Sequence, residues 1–322
     1  MFGFSGPKFD PAKDIPKQSG RVAFVTGGNG GLGLETVVQL AKAGMERIFI
    51  GARNEEKALK AIKDVSNELN CKTTLTFVQM DLTSFESVIR AADQVISQTN
   101  KLHLLINNAG VVGSEPGLTK DGYETQWGTN HMGHALFTRL LLPLLKETSE
   151  GGRVDVRIVN VSSISEWMCC WHGCGDMEIF KSAKMKSPIW INNDIFWGYG
   201  ASKLANILHA RMLAHKHPSI KAVAVHPGTV KTPITGSFTK TSPFVGGYIM
   251  PFLTAMFFVE VSEGAKNQLW AATSDQANSG EYYSPVGRPN MGSGKSKNMK
   301  EAERVWDWTE RELDAYLSKI GR

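Results

Sequence analysis

The stretch TGGNGGLG at residues 26–33 decides the fold of this chain. The apolar run RVAFVT at residues 21–26 leads into it, and a helical pattern from Leu32 to Ala43 leads out of it. A strand that passes through glycines into a helix N-terminus makes an anion site, because the bare backbone and its free N–H groups can approach a pyrophosphate. The stretch therefore predicts a dinucleotide site at the carboxyl end of the first strand.

Strand-like and helix-like segments alternate along the rest of the chain. Further strands are predicted at Arg47–Ala52, Thr73–Gln79, Leu102–Ile106, Arg153–Val161, Ile220–Val225 and Glu281–Ser284. Helices are predicted at Glu55–Leu69, Ser84–Gln98, within Asp121–Leu145, and at Gly198–His215, Val261–Thr273 and Met299–Leu317. Strands that recur with a helix between them predict right-handed crossovers, hence an α/β fold with a parallel sheet covered on both faces. We expect one domain over residues 1–322.

The composition excludes several classes of protein. The net charge of +5 is spread over 322 residues, which argues against a nucleic-acid footprint. The four cysteines follow no disulfide framework, and the N-terminus lacks a signal peptide, so we expect a cytoplasmic protein. The apolar segment 248–259 is too short to span a bilayer. We expect a buried helix or substrate lid there, with peripheral membrane contact as an alternative.

Tyr199 and Lys203 stand four residues apart in a predicted helix and so share one face. An ammonium beside a phenol favours the phenolate, which makes the tyrosine a usable proton donor and acceptor. Cys169, Cys170, His172 and Cys174 crowd into six residues without a second ligand pair, so no metal site is predicted. Together with the glycine-rich turn, Tyr199 and Lys203 indicate a nicotinamide-dependent redox enzyme.

Residues after the second, third and fourth strands refine the cofactor prediction. Arg53 follows strand two, where a carboxylate would favour NAD and an arginine would meet the 2′-phosphate of NADP. Asp81 and Leu82 follow strand three and are placed to contact the adenine. The run NNAG at 107–110 follows strand four, at the edge of the sheet where ligands bind. NADP(H) is therefore the predicted cofactor.

With these motifs in place, about two thirds of the chain resembles the short-chain dehydrogenase/reductase family. The matching segments are the turn at 26–33, NNAG at 107–110, NVSS at 160–163, Tyr199-x-x-x-Lys203, and Pro227-Gly228. Ala52-Arg53-Asn54 and TNHMGH at 129–134 look most like the retinol-dehydrogenase-like branch. VWDWTE at 305–310 looks like fungal reductases of that type.

The resemblance implies a Rossmann fold, a doubly wound parallel sheet, and four catalytic roles. Tyr199 would be the general acid/base, Lys203 would lower its pKa and hold the nicotinamide ribose, and Ser163 would hydrogen-bond the substrate oxygen. Asn130 would organise a water in the proton relay, or would instead be a helix-capping or backbone-bonding residue. Ser162 competes with Ser163, and the family pattern favours Ser163. The implied cofactor-binding residues are Thr26, Gly27, Asn29, Gly31, Leu32, Gly33, Arg53, Asp81, Leu82, Asn108, Ala109, Gly110, Tyr199, Lys203, Pro227, Gly228, Val230 and Thr232.

The chain departs from the family between Ser163 and Tyr199, which are 36 residues apart. The resulting insertion, about residues 164–198, contains Trp167, Trp171, Trp190 and Trp197. Because it joins two catalytic residues, we expect it beside the active site, with aromatics available to stack on a flat substrate. The alternative is a satellite core in which the insertion packs on itself. An apolar substrate lobe is expected at about 232–260.

We interpret the sequence as an NADPH-dependent carbonyl reductase, or the reverse alcohol dehydrogenase, for an apolar or aromatic small molecule. The fungal resemblance adds specialised-metabolite biosynthesis as its setting, and a homo-oligomer is compatible with the sequence. A non-catalytic NADP-binding sensor or scaffold is the alternative from another class. Dehydration or isomerisation on the same fold is a further alternative.

Overall fold

A computed structural model describes residues 8–69, 72–113, 116–183, 194–228 and 259–322. Predictions for Trp190, Val230, Thr232 and most of the substrate lobe fall outside these residues. The described strands are β1 Val22–Thr26, β2 Arg47–Ala52, β3 Thr74–Gln79, β4 Leu104–Asn107, β5 Arg157–Val161, β6 Lys221–Val225 and β7 Tyr282–Tyr283. They form one parallel sheet in the order β3-β2-β1-β4-β5-β6-β7.

Helices cover both faces of this sheet. Their bounds are α1 Pro11–Asp14, α2 Gly31–Lys42, α3 Glu55–Leu69, α4 Phe85–Gln98, α5 Thr125–Trp127, α6 Gly133–Ser149, α7 Asp194–Lys216, α8 Val261–Thr273 and α9 Met299–Lys319. One core lies between the sheet and α4, α6, α7 and α9, and a second lies between the sheet and α2 and α8. The predicted Rossmann architecture, a doubly wound parallel sheet, is confirmed.

The central strands are mostly apolar because helices bury them on both sides. Every residue of β1 is buried, as is every residue of β4 and β5. Polar side chains therefore gather where the strands end. The carboxyl ends of β1, β4 and β5 carry Thr26, Asn107 and the serine pair 162–163 along one edge.

The long helix predicted within Asp121–Leu145 is interrupted. Short helix α5 runs into a π-helical turn at Gly128–Met132 before α6 begins. Close packing accompanies the change: a Cβ on Gly128 would lie 2.3 Å from the Thr119 side chain, and one on Gly133 would lie 2.7 Å from the Leu82 carbonyl oxygen. The predicted long helix is present as α6, but hydrophobic periodicity cannot reveal one extra residue in a turn, so the π-helical turn before it was not predicted.

The described part of the insertion is held mainly by packing away from the pocket. Trp197 is 1% exposed and stacks on Phe180, with ring centroids 5.4 Å apart, and Phe180 stacks on Trp127 at 3.9 Å. Trp171 is 82% exposed, and the Trp167 indole donates to the Met291 carbonyl at 3.3 Å. Phe180 and Trp197 belong to the same buried cluster as Trp127 and Trp308, so this part of the insertion joins the main core and does not pack only on itself.

Helices of the described ranges are all too short or too polar to cross a bilayer. The apolar segment 248–259, apart from Val259, is not among the described residues.

Candidate active site

A pocket opens at the carboxyl edge of the sheet and brings most of the predicted site residues together. Those on its wall are Thr26, Gly27, Asn29, Gly31, Leu32, Arg53, Asp81, Leu82, Asn108, Ala109, Gly110, Ser163, Tyr199, Lys203, Pro227 and Gly228. Gly33 and Asn130 lie behind this wall, close to Gly27 and Gly110. A second groove, at the opposite edge near Arg47 and Lys101, contains none of the predicted residues.

The glycine-rich turn is shaped by close backbone contacts. Gly27 has φ +67° and donates its N–H to the Gly51 carbonyl at 2.7 Å, which joins β1 to β2. A Cβ on Gly33 would lie 2.3 Å from the Gly27 carbonyl oxygen and 2.7 Å from the Asn108 amide nitrogen. Helix α2 can therefore approach the turn only because residue 33 has no side chain. Its N-terminus faces the pocket as an anion site.

Gly33→Ala should weaken dinucleotide binding by about 10- to 100-fold, because the added methyl group must push α2 away from the turn, and such overpacking costs about 1–3 kcal/mol. Titration of NADPH by fluorescence measures the change. Gly294→Ala is the comparison, since its Cβ would meet no atom within 4 Å and the residue does not line the pocket. Equal losses in the two variants would contradict this account of the turn.

The carboxyl end of β2 presents two cations to the pocket. Arg53 and Lys57 both line it, one helical turn apart at the start of α3. Asn54 caps that helix by accepting from the Lys57 backbone N–H at 2.7 Å. In the described ranges the Arg53 guanidinium forms no ion pair. Sequence analysis missed Lys57, although its spacing of four residues from Arg53 was a usable signal.

The two adjacent serines have different surroundings. Ser162 is 2% exposed and donates to the Lys203 carbonyl oxygen at 2.7 Å, so its hydroxyl is used in joining β5 to α7. Ser163 lines the pocket, accepts from the Ser165 backbone N–H at 3.2 Å and is hydrogen-bonded to the Tyr199 side chain. Of the two, only Ser163 faces the tyrosine.

Helix α7 brings Tyr199 and Lys203 to the same wall. The Lys203 ammonium donates to the Val161 carbonyl oxygen at 3.0 Å and lies 5.6 Å from the centre of the Tyr199 ring. A close fit at Gly200 sets this arrangement, because a Cβ there would lie 2.6 Å from the Ser165 carbonyl oxygen. The 3₁₀ turn that begins after Ser163 can thus pack directly on α7.

Burial controls the protonation of this pair. It raises the pKa of Tyr199 to about 12, against the hydrogen bond with Ser163, which lowers it. It also lowers the pKa of Lys203 to about 8. Burial is the largest cause of the shift in the Tyr199 pKa, and the lowering expected from Lys203 stays a prediction. Tyr199 stays protonated near neutral pH and is ready to donate.

Asn130 sits in the π-helical turn with its side chain fully buried. Its Oδ1 accepts from the Val111 N–H at 2.8 Å, and its Nδ2 donates to the Val111 carbonyl at 2.9 Å and to the Ser202 hydroxyl at 3.0 Å. A Cβ on Gly110 would meet both the Asn130 oxygen, at 3.1 Å, and the Lys203 nitrogen, at 3.3 Å. These contacts favour the backbone-bonding interpretation of this side chain.

Comparison with known proteins gives a consistent result. The profile of the family described as short chain dehydrogenase matches residues 21–173. A short-chain dehydrogenase/reductase, drtF, of Aspergillus calidoustus is 36% identical over 93% of this chain and 95% of its own. Mouse retinol dehydrogenase 12 is 34% identical over 89% of this chain and 84% of its own.

Among solved structures, the L-sorbose reductase of Gluconobacter frateurii, in complex with NADPH and L-sorbose, superposes with a TM-score of 0.63. The match covers 84% of this chain and 96% of that one at 21% identity, a level that supports the fold. The two relatives confirm the predicted resemblance to the retinol-dehydrogenase-like branch and to fungal reductases.

Proposed function

The chain belongs to the short-chain dehydrogenase/reductase family, and we propose that it is an NADP(H)-dependent carbonyl reductase, or in reverse an alcohol dehydrogenase. One observation carries the proposal. Ser163, Tyr199 and Lys203 meet on the wall of the same pocket as the glycine-rich turn, with the Tyr199 side chain hydrogen-bonded to Ser163. A proton donor is thereby held next to a dinucleotide site.

The residues at the pocket fit NADP(H). Gly27 and Gly33 let the turn and the N-terminus of α2 pack closely together, and free N–H groups at that N-terminus favour the negative charge of a pyrophosphate. Arg53 and Lys57 at the end of β2 supply two positive charges suited to a 2′-phosphate. The NADPH in the L-sorbose reductase complex supports the same choice.

Each catalytic side chain has a specific task in the proposed reduction. The bound cofactor supplies a hydride to the carbonyl carbon. The Tyr199 hydroxyl donates its proton to the carbonyl oxygen, while the Ser163 hydroxyl hydrogen-bonds that oxygen as negative charge develops on it. The Lys203 ammonium stabilises the phenolate that remains on Tyr199. Asn130 would hold the site in shape, because its side chain bonds the backbone of Val111 and the hydroxyl of Ser202, the residue before Lys203.

The substrate proposed is an apolar or aromatic aldehyde or ketone. Val111, Val112 and Ile164 lie on the pocket wall, and Ile164 directly follows Ser163. They would pack against an apolar group attached to the carbonyl carbon. A place in specialised-metabolite biosynthesis, and a cytoplasmic location, are parts of the proposal that rest on the sequence alone.

The proposal is tested with purified protein, NADPH and a panel of aliphatic and aromatic carbonyl compounds, followed by loss of NADPH absorbance. We expect turnover with at least one apolar member, and a turnover lower by about 100-fold or more in Tyr199→Phe. Tight NADPH binding without turnover on any carbonyl or alcohol would instead support the sensor or scaffold. The intact set of Ser163, Tyr199 and Lys203 favours the enzyme.

Arg53→Ala should narrow the preference for NADPH over NADH by about tenfold or more, since a charge-assisted hydrogen bond is worth about 1.5–3 kcal/mol. The affinity for NADH is the internal control and should change little, because NADH lacks the 2′-phosphate. Lys57→Ala should act in the same direction. Equal affinity of the unmodified protein for both cofactors would overturn the assignment.

A further inference from the structure

His134 lies behind the pocket, between the glycine-rich turn and the π-helical turn, and is 3% exposed. Its Nε2 is 2.9 Å from the Thr26 hydroxyl oxygen, at the end of β1. Its Nδ1 is 3.0 Å from the Asn130 carbonyl oxygen, inside the π-helical turn. The His134 imidazole thus bridges the glycine-rich turn and the backbone of Asn130, whose side chain lies beside Lys203.

The direction of each hydrogen bond in this bridge follows from chemistry. A carbonyl oxygen only accepts, so Nδ1 must carry the proton. Burial lowers the pKa of His134 to about 4, so the ring is neutral and Nε2 must accept. The Thr26 hydroxyl therefore donates to Nε2. The Ile106 carbonyl, the other acceptor for that proton, is 3.5 Å away and competes poorly.

The Thr26 oxygen extends the bridge to β4. It accepts from the backbone N–H groups of Asn108 and Ala109, both at 2.9 Å. The chain of bonds then runs from the end of β4 through Thr26 and His134 to Asn130. Every donor along it has an acceptor, which is the condition under which a buried polar network holds its members in one arrangement.

We propose that His134 is a positioning residue, which sets the glycine-rich turn and the catalytic polar cluster in a fixed relation to each other. The inference rests on the proposed function, because it concerns the placement of the cofactor against Tyr199 and Lys203. Asn130 transmits the constraint: its side chain bonds Val111 and Ser202, the residue before Lys203. Loss of the bridge should let the two halves of the site shift against each other.

The first test measures the tautomer of His134 in the unmodified protein. Nitrogen-15 NMR of the histidine side chains in the unmodified protein should show His134 as the neutral tautomer with its proton on Nδ1. The assignment is made by the loss of one histidine signal set in His134→Leu, or in His134→Gln if the leucine variant does not fold. A proton on Nε2 at neutral pH would overturn the inference, whatever the activity of the protein.

The second test is a double-mutant cycle on NADPH affinity with Thr26→Val, His134→Leu and the double variant. His134→Leu should weaken binding by about threefold to tenfold, as expected of one hydrogen bond, and Thr26→Val should weaken it more, because it also leaves the Asn108 and Ala109 N–H groups without their acceptor. The double variant should be no weaker than the weaker single variant, because both changes break the same bridge. Losses that simply multiply would overturn the inference.

His131→Leu is the matched control. His131 is also buried, three residues earlier, but its Nε2 is 2.8 Å from the Thr309 hydroxyl of α9, away from the cofactor turn. It should cost similar stability and leave NADPH affinity within about twofold. An equal loss of affinity in His131→Leu would show that any damage to this helix suffices, and would overturn the assignment to His134.

Kinetics separate this inference from the proposed function. In His134→Leu, kcat should fall about 10- to 100-fold below that of His131→Leu with the substrate KM nearly unchanged, as expected of misplaced reacting groups. A kcat equal to that of His131→Leu would overturn the inference while the reductase stands. The cycle could be non-additive and the tautomer as expected while the protein turns over no carbonyl. That result would contradict only the proposed reaction, and the inference about His134 would stand.

Discussion

Tyr199→Phe should lower turnover by roughly 10²- to 10⁴-fold, the range expected for loss of a general acid. The phenyl ring keeps the packing of α7, and the hydroxyl is the only group removed. NADPH affinity should therefore stay close to that of the unmodified protein. Initial rates at saturating NADPH, together with a fluorescence titration of NADPH, separate the two effects.

A second tyrosine supplies the control for this change. Tyr282 is buried, and its hydroxyl has no hydrogen-bond partner among the described residues. Tyr282→Phe should consequently leave turnover near its original value. If Tyr199→Phe retained near-normal turnover, the proton would have to come from another group, and the role given to Tyr199 would be wrong.

Lys203→Met should abolish most turnover and at the same time stabilise the cofactor-free protein at pH 7. Turnover falls because no cation remains to stabilise the Tyr199 phenolate. The free energy of unfolding rises because the charged lysine destabilises the folded protein. Burial of that charge is also what lowers the pKa of Lys203 to about 8. The Val161 carbonyl still accepts from the Asn206 side chain at 3.2 Å. We expect a gain of about 2 kcal/mol.

The pH dependence of this gain has a definite sign. Below pH 8 the lysine is charged in both the folded and unfolded states, so the full cost is present and the methionine variant has its largest advantage. Between about pH 8 and the unfolded pKa of 10.5 the folded lysine loses its proton first, and the original protein gains stability relative to the variant. Unfolding melts at pH 7 and pH 9.5 measure this. An advantage that grows with pH would contradict the assigned shift.

The amino-acid sequence alone predicted most of the helices and strands and most of the residues on the pocket wall. Its glycine spacing at 26–33 and the alternation of apolar strands with amphipathic helices are local signals, and they led directly to the doubly wound sheet. Residues at strand ends, such as Arg53, Ser163 and the run 107–110, could be assigned because parallel strands present their carboxyl ends at one edge. Tyr199 and Lys203 were found by their spacing on one helix.

Tertiary structure alone decided which of these groups face one another. It gave the physical reason for preferring Ser163, which is the bond between the Ser162 hydroxyl and the Lys203 carbonyl, and it placed Trp197 in a stack with Phe180 instead of in the pocket. His134 escaped detection because its two partners are 4 and 108 residues away in sequence. Periodicity reports the face of an element on which a residue lies. Contacts between elements depend on how closely two backbones approach each other, and the sequence pattern of one element does not predict that distance.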